Sequence, residues 1–222
     1  MTTLIPDIIL RDNTSQRLPC VLVLDGSSSM AGDSINELNA GLKVLEEELK
    51  QDPVAAQRVQ LYIIRIGGMD ETEVLCDWTD AMDFSAPLVE ANGNTPLGRG
   101  VSEGLAAIEK QKRNYKGHQI PYNRPWMFMI TDGAPTEYDW EKHAEAAQKA
   151  ESDNKVVIFP IGTEGANFDC LERFSVRKPM KLKGLAFREL FVWLSRSASA
   201  GSQAAIDDTV QLPAAGWAEI PS

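Results

Sequence analysis

The sequence has few of the residues on which zinc sites and disulfide frameworks depend. It contains three cysteines, Cys20, Cys76 and Cys170, and two histidines, His118 and His143. The cysteines are odd in number and far apart, and no C-x-x-C pair exists. Neither histidine has a Cys or His neighbour at zinc spacing. These absences argue against a structural zinc or a disulfide scaffold, and the isolated thiols indicate a reducing compartment.

Positive charge and long apolar runs are also scarce. The chain has 22 Lys and Arg against 32 Asp and Glu, which gives a net charge of −10. Nucleic acids and anionic membrane surfaces both attract clustered basic residues, so neither is expected as a partner. No apolar run approaches the length of a membrane span, and the N-terminus lacks the early positive charge of a secretory signal. We therefore expect a cytoplasmic protein.

Apolar runs of strand length alternate with helical segments along most of the chain. The alternation predicts an α/β fold with a doubly wound, Rossmann-like, mainly parallel sheet of six strands and helices on both faces. One short antiparallel strand, beginning at Glu73 after a GGMD turn, is expected at an edge. The core strands are predicted at Pro19–Leu24, Val59–Ile66, Trp126–Ile130 and Val156–Ile161.

The length of 222 residues fits one large domain with short appendages. We predict an N-terminal extension over residues 1–16, the domain itself over 17–200, and a tail over 201–222. The tail is polar and contains proline, so we expect it to be loosely packed. A capping box of Ser34 and Glu37 predicts the start of the first helix. Helical periodicity predicts that one apolar face of this helix carries Ile35, Leu38, Leu42, Leu45 and Leu49.

Small oxygen-bearing side chains follow two of the predicted strands and occupy one loop between them. Because ligands of doubly wound sheets bind at the carboxyl ends of strands, these side chains are candidates for one site. Oxygen donors suit Mg²⁺, Mn²⁺ or Ca²⁺ rather than zinc. Three of the five are neutral hydroxyls, so such a metal should retain an open position that an acidic group could fill. The five residues are Asp25, Ser27, Ser29, Thr95 and Asp132.

The motifs that carry these residues resemble the metal-ion-dependent adhesion site (MIDAS) of von Willebrand factor A (VWA) domains. They are a D-x-S-x-S pattern in the stretch VLVLDGSSSM, a Thr-Pro after a Gly-Asn loop, and a T-D-G. The resemblance spans roughly residues 17 to 196. Family members often have glycine where this chain has Ser28, a position that is not a ligand in the family, so only a local backbone adjustment is expected.

The resemblance implies a role for each residue. Ser27, Ser29 and Thr95 would coordinate the metal directly, while Asp25 and Asp132 would act mostly through water. It also implies a protein partner that offers an Asp or Glu to the metal, and Mg²⁺ as the favoured ion.

Within the superfamily, the motif ITDGAPT and the segment FVWLSRSAS, Phe191 to Ser199, are similar to the bacterial TerY-like group. Proteins of that group are associated with tellurite-resistance and stress-response gene clusters. The resemblance implies a scaffold for a PP2C-type phosphatase and a kinase. Because the loops are rich in Ser and Thr, we also expect phosphorylation of the domain itself.

Each motif taken alone has a second interpretation. The serines after Asp25 are common helix caps, Thr95 before Pro96 suits the start of a helix, and Thr-Asp-Gly is a frequent turn. The three motifs occur together, in chain order and at strand ends, and this combination favours a metal site.

A metal-dependent phosphohydrolase on a similar sheet is the main alternative. Haloacid-dehalogenase-like chemistry needs a second aspartate two residues after the nucleophile, but position 27 is Ser. The serines after Asp25 do not form a G-x-S-x-G motif, because position 30 is Met, and the chain has no P-loop. We therefore predict a binding module with no catalytic residues.

Overall fold

In the computed structural model, which describes residues 13–205 and 210–219, strand β1 (Leu18–Asp25) is buried along its whole length. A continuous apolar run of this kind belongs inside a parallel sheet that is covered on both faces. Accordingly, β1 pairs in parallel with β2 (Val59–Gly67) on one side and with β4 (Trp126–Thr131) on the other.

The outer strands complete the sheet on both sides of this centre. They are β3 (Glu71–Asp80), β5 (Val157–Gly162), β6 (Met180–Leu182) and β7 (Ala218–Glu219). The described residues form one seven-stranded sheet in the order β3-β2-β1-β4-β5-β6-β7. The pairs β2–β3 and β6–β7 are antiparallel, and the remaining neighbours are parallel.

Helices cover both faces of the sheet. The first face is packed by α1 (Asp33–Gln51) and α6 (Phe187–Gln203), and the second by α3 (Leu97–Gly117) and α4 (Trp140–Ser152). Successive residues of β1 point to opposite faces, so Leu22 joins the first core and Val23 the second. The shorter helices are α2 (Pro53–Arg58) and α5 (Phe168–Glu172). No helix within the described ranges is both long and apolar enough to cross a bilayer.

The predicted fold class is confirmed. Each of the four predicted core strands agrees with the structure to within one residue at both ends. The antiparallel edge strand is β3, which pairs with β2 as expected. One residue inside each predicted core strand illustrates this burial, and all four are fully buried: Leu22, Ile63, Phe128 and Ile158.

The expected number of six strands was wrong, because the C-terminal segment adds β7. Residues 1–12, 206–209 and 220–222 lie outside the described residues. Between 210 and 219 most side chains are exposed or half-buried, but one is packed into the core. Trp217 is only 4% exposed, and its ring centroid lies 5.3 Å from that of Trp193 in α6. Burial of one tryptophan thus holds the segment against the sheet edge. Helix α6 ends at Gln203, and the division into an extension over 1–16, a domain over 17–200 and a tail over 201–222 stays a prediction.

The predicted capping box was also wrong. Helix α1 begins at Asp33, so Ser34 lies inside its first turn and cannot cap it. The N-cap position is Gly32, with φ +91° and no side-chain capping bond. The apolar stripe was nevertheless correct, because it depends only on helical periodicity. Its buried members are Ile35, Leu38, Leu42, Leu45 and Leu49.

A buried ion pair joins β1 to the edge of the sheet at the end opposite the candidate site. The guanidinium of Arg17 is fully buried, and its Nη1 lies 2.8 Å from Asp80 Oδ1. The same Asp80 oxygen accepts a hydrogen bond from Gln60 Nε2 at 2.6 Å. Gln60 Oε1 in turn accepts from Gln111 Nε2 at 2.8 Å, which ties in helix α3.

Removing one member of this pair should destabilise the fold strongly. Asp80→Ala would leave the Arg17 cation buried without its carboxylate, and we expect a loss of about 3–5 kcal/mol in the free energy of unfolding. Urea denaturation measures this loss. Lys149→Ala is the control, because its side chain is 76% exposed and its ion pair lies on the surface. Equal midpoints for the two variants would contradict the importance of the buried pair.

Candidate metal site

Two neighbouring parallel strands bring the predicted site residues to one edge of the sheet. Strand β1 ends at Asp25, and Asp132 directly follows β4. The chain passes from β1 to β2 on one side and later reaches β4 on the other side. The strand order therefore reverses between β1 and β4. Such a switch point leaves a crevice at the carboxyl ends of the strands, where ligands of open α/β sheets bind.

Three of the five predicted residues are joined by hydrogen bonds at this edge. After β1 the chain enters a short 3-10 turn, Ser28–Met30. The hydroxyl oxygens of Ser27 and Ser29 lie 3.0 Å apart, and Ser29 Oγ donates to Asp132 Oδ1 at 2.7 Å. Ser29 is exposed and Asp132 is half-buried, so this row of oxygens reaches solvent.

Asp25 is fully buried next to this row. One of its carboxylate oxygens accepts a hydrogen bond from Ser27 N at 2.8 Å, and the other accepts one from the Thr131 hydroxyl. Burial raises the pKa of Asp25 above its ordinary value, and the hydrogen bonds from Thr131 and Ser27 offset this only in part. The neighbouring charge of Asp132 raises the pKa further. A bound cation would relieve both unfavourable effects.

Thr95 reaches the same edge from the loop between β3 and α3. Its N–H donates to Thr136 Oγ1 at 3.1 Å, and its carbonyl oxygen accepts from Thr136 N at 3.0 Å. A Cβ added to Gly133 would lie 3.4 Å from Thr95 Oγ1, so the Thr95 hydroxyl faces the residue that follows Asp132. The structure therefore places all five predicted residues at one edge.

Ser28, where the chain departs from the family pattern, has a different role from the serines on either side. Its N–H donates to the carbonyl of Gly93 at 2.9 Å, and its Oγ accepts from Gly93 N at 2.8 Å. Gly93 has φ +78°, and a Cβ there would lie 1.9 Å from the Gly68 carbonyl oxygen, so only glycine fits. These contacts hold the loop before α3 against the ends of β1 and β2.

Arg65 of β2 holds the same loop from the interior. Its side chain is almost fully buried. The Nε atom donates to the Glu90 carbonyl at 2.7 Å, while Nη2 donates to the Gly26 carbonyl at 3.1 Å and to Asn92 Oδ1 at 2.8 Å. One guanidinium therefore joins the D-G-S turn to the loop before α3. Our sequence reasoning missed Arg65, although an arginine within the apolar run VQLYIIRIG is a visible signal.

The donor set fits a hard divalent cation. Across residues 13–205 and 210–219, no cluster of three or more His, Cys, Asp or Glu side chains is placed to hold a metal. An ion at this edge would therefore depend on the hydroxyls of Ser27, Ser29 and Thr95 in addition to the two carboxylates. Hydroxyl and carboxylate oxygens suit Mg²⁺, Mn²⁺ or Ca²⁺.

Comparison with known proteins identifies the family of the chain. The family model of the von Willebrand factor type A domain matches residues 20–188, which is most of the chain. The chain therefore belongs to the VWA domain family, whose members commonly act as metal-dependent protein-interaction modules through a MIDAS. Among curated proteins, no sequence matches this chain.

Solved structures with low sequence identity share the fold. A von Willebrand factor type A protein from Catenulispora acidiphila has a TM-score of 0.60 at 14% identity, over 84% of this chain and 43% of that chain. Proximal thread matrix protein 1 from the mussel byssus, with a zinc-occupied MIDAS motif, has a TM-score of 0.56 at 12% identity, over 84% and 49%. Manganese-loaded TRAP protein of Plasmodium vivax has a TM-score of 0.50 at 18% identity, over 80% and 74%. This chain spans less than half of the first two.

The buried charge of Asp25 should lower stability when no metal is bound. Because the pKa of this carboxyl is raised in the folded state, its ionised form opposes folding at neutral pH. Asp25→Asn keeps the shape and removes the charge. In EDTA at pH 7 we expect this variant to be more stable than the wild type by about 1 kcal/mol, or roughly 2–4 °C in Tm. Thermal unfolding followed by circular dichroism measures the difference.

Saturating Mg²⁺ should reverse this order, because loss of the Asp25 charge weakens binding and the ion would stabilise the wild type more than the variant. Glu47→Gln removes an exposed carboxylate of α1 and should leave Tm unchanged in both buffers. A lower Tm for Asp25→Asn than for the wild type in EDTA would contradict the stated cost of the buried charge.

Proposed function

We propose that this VWA domain binds a protein partner through a divalent ion at the candidate site, to which the partner contributes an Asp or Glu. The main support is the row of oxygens formed by Ser27, Ser29 and Asp132, which reaches solvent at the switch point of the sheet. When bound, the ion would supply an electrophilic position for the partner carboxylate. Mg²⁺ is the favoured ion, with Ca²⁺ and Mn²⁺ as alternatives.

The residues of the chain would then have distinct roles. Ser27, Ser29 and Thr95 would hold the ion through their hydroxyls, while Asp25 and Asp132 would act mostly through water. The position of Asp25 supports its indirect role, because both of its oxygens already accept hydrogen bonds from the protein. Since hydroxyl donors are neutral, part of the ion's charge stays unbalanced, which favours an anionic group from outside.

For the identity of the partner, we propose a PP2C-type phosphatase and a kinase of a cytoplasmic tellurite-resistance or stress-response system. The support is the resemblance of ITDGAPT and FVWLSRSAS to the TerY-like group. The second segment is largely buried in α6, where Phe191, Trp193 and Ser197 pack inside the domain. It therefore contributes to the core, and partner choice must depend on other surfaces.

We favour binding over catalysis. VWA domains are generally interaction modules. In this chain, the Ser27 hydroxyl occupies the position where haloacid-dehalogenase-like chemistry needs its second carboxylate. Lack of phosphate-ester hydrolysis with Mg²⁺ or Mn²⁺ is therefore the expected result.

Partner binding should require both the metal and its hydroxyl ligands. We expect proteins retained from extract of the source cells on the immobilised full chain in Mg²⁺ to be lost in EDTA. They should also be lost with Ser27→Ala or Thr95→Ala, because each variant removes one ligand oxygen. Quantitative mass spectrometry of the retained proteins measures this.

Ser152→Ala is the matched control, because it removes an exposed hydroxyl at the end of α4 that lies away from the oxygen row. Its Oγ donates to the Gln148 carbonyl of the same helix, so metal-dependent retention should persist. Circular dichroism checks that each variant is folded. If the retained proteins were the same in EDTA, or bound Thr95→Ala unchanged, the ion would have at most a structural role.

A further inference from the structure

Two large apolar side chains lie fully in solvent on the loops beside the candidate metal site. Met69, in the turn between β2 and β3, is 89% exposed, and Tyr138, in the loop between β4 and α4, is 102% exposed. A single exposed apolar residue is common and needs no explanation. Two such residues on adjoining loops beside a candidate functional site are unusual enough to need an explanation.

Hydrogen bonds connect both loops directly to the site. Thr136 pairs through its backbone and side chain with Thr95, one of the proposed metal ligands. The same Thr136 hydroxyl donates to Asp70 Oδ1 at 3.0 Å. Met69 directly precedes Asp70, and Tyr138 follows Thr136 by two residues. Met69 and Tyr138 therefore lie close in the chain to residues that are hydrogen-bonded to Thr95 directly or through Thr136.

The residues next to each exposed side chain are fixed in place. Asp70 has φ +60°, which is uncommon for a residue other than glycine, and its carbonyl oxygen accepts from Arg99 Nη1 at 2.8 Å. Glu137, directly before Tyr138, is buried and accepts from Arg99 N at 3.1 Å. Arg99 of α3 thus anchors both loops. The backbone on which each exposed side chain stands is therefore held in place before any partner binds.

We propose that Met69 and Tyr138 form an apolar rim that binds a large apolar side chain next to the partner's metal-binding carboxylate. Tyrosine and methionine are among the residue types enriched in protein interfaces. The occupant we infer is a protein segment in which an Asp or Glu has a bulky apolar neighbour in sequence. This inference rests on the proposed function, because the carboxylate is what would place the apolar side chain over the rim.

Selection from random peptides displayed on phage tests the proposal without a known partner. The full chain is immobilised in Mg²⁺, and bound phage are eluted with EDTA. We expect the eluted sequences to share an Asp or Glu that is adjacent to Phe, Leu, Met, Tyr or Trp. Selection is repeated on the double variant Met69→Ser with Tyr138→Ser, where the acidic residue should remain enriched and its apolar neighbour should not.

A synthetic peptide carrying the selected sequence then gives the size of the effect. Its Kd for the double variant should be about tenfold or more weaker than for the wild type, as for central interface residues. Met82→Ser is the matched control, because Met82 is 53% exposed but follows β3 at the opposite end of the sheet. Its Kd should match that of the wild type, and all variants should retain the wild-type Tm.

The outcomes separate the two proposals. Acidic peptides without an apolar neighbour, or a Kd unchanged in the double variant, would overturn the rim and leave the metal-bridged carboxylate intact. Absence of any EDTA-eluted binder, or of an acidic residue in such binders, would overturn both proposals.

Discussion

The geometry of the candidate site depends on one buried guanidinium. Arg65 donates hydrogen bonds to the carbonyls of Gly26 and Glu90 and to the side chain of Asn92, so it joins the turn after β1 to the loop before α3. A buried cation is tolerated only when such acceptors surround it, which makes the loop positions mutually dependent. The close approach also requires glycine, since a Cβ on Gly26 would lie 2.6 Å from Arg65 Nε.

Much of the fold could be predicted from the sequence because it follows from local patterns. Apolar runs identified the core strands, and helical periodicity identified the buried face of α1. The seventh strand could not be predicted, since β7 (Ala218–Glu219) has only two residues and no pattern. Its place depends on the burial of Trp217 against Trp193, a contact between distant parts of the chain. The capping box failed because the helix begins at Asp33, with Gly32 in its positive-φ conformation as the N-cap, so Ser34 already lies inside the first turn.

The site could be predicted as a set of residues but not as a structure. Parallel strands carry residues at their carboxyl ends to a common edge, so Asp25 and Asp132 were expected to lie together. The supporting contacts join positions far apart in sequence and have no local signal. Ser28 bonds to Gly93, and Thr136 to Asp70, through side chains that the motifs do not specify. The same contacts that complete the site also position the exposed loops beside it.

A crystal structure of the full chain grown with Mn²⁺ would test the metal site most directly. Manganese scatters anomalously, so the ion can be located without prior assumptions about its ligands. We expect one anomalous peak at the switch point between β1 and β4, in contact with the hydroxyls of Ser27, Ser29 and Thr95. No peak at millimolar Mn²⁺, or a peak only at another place on the surface, would contradict the assignment of this edge as a metal site.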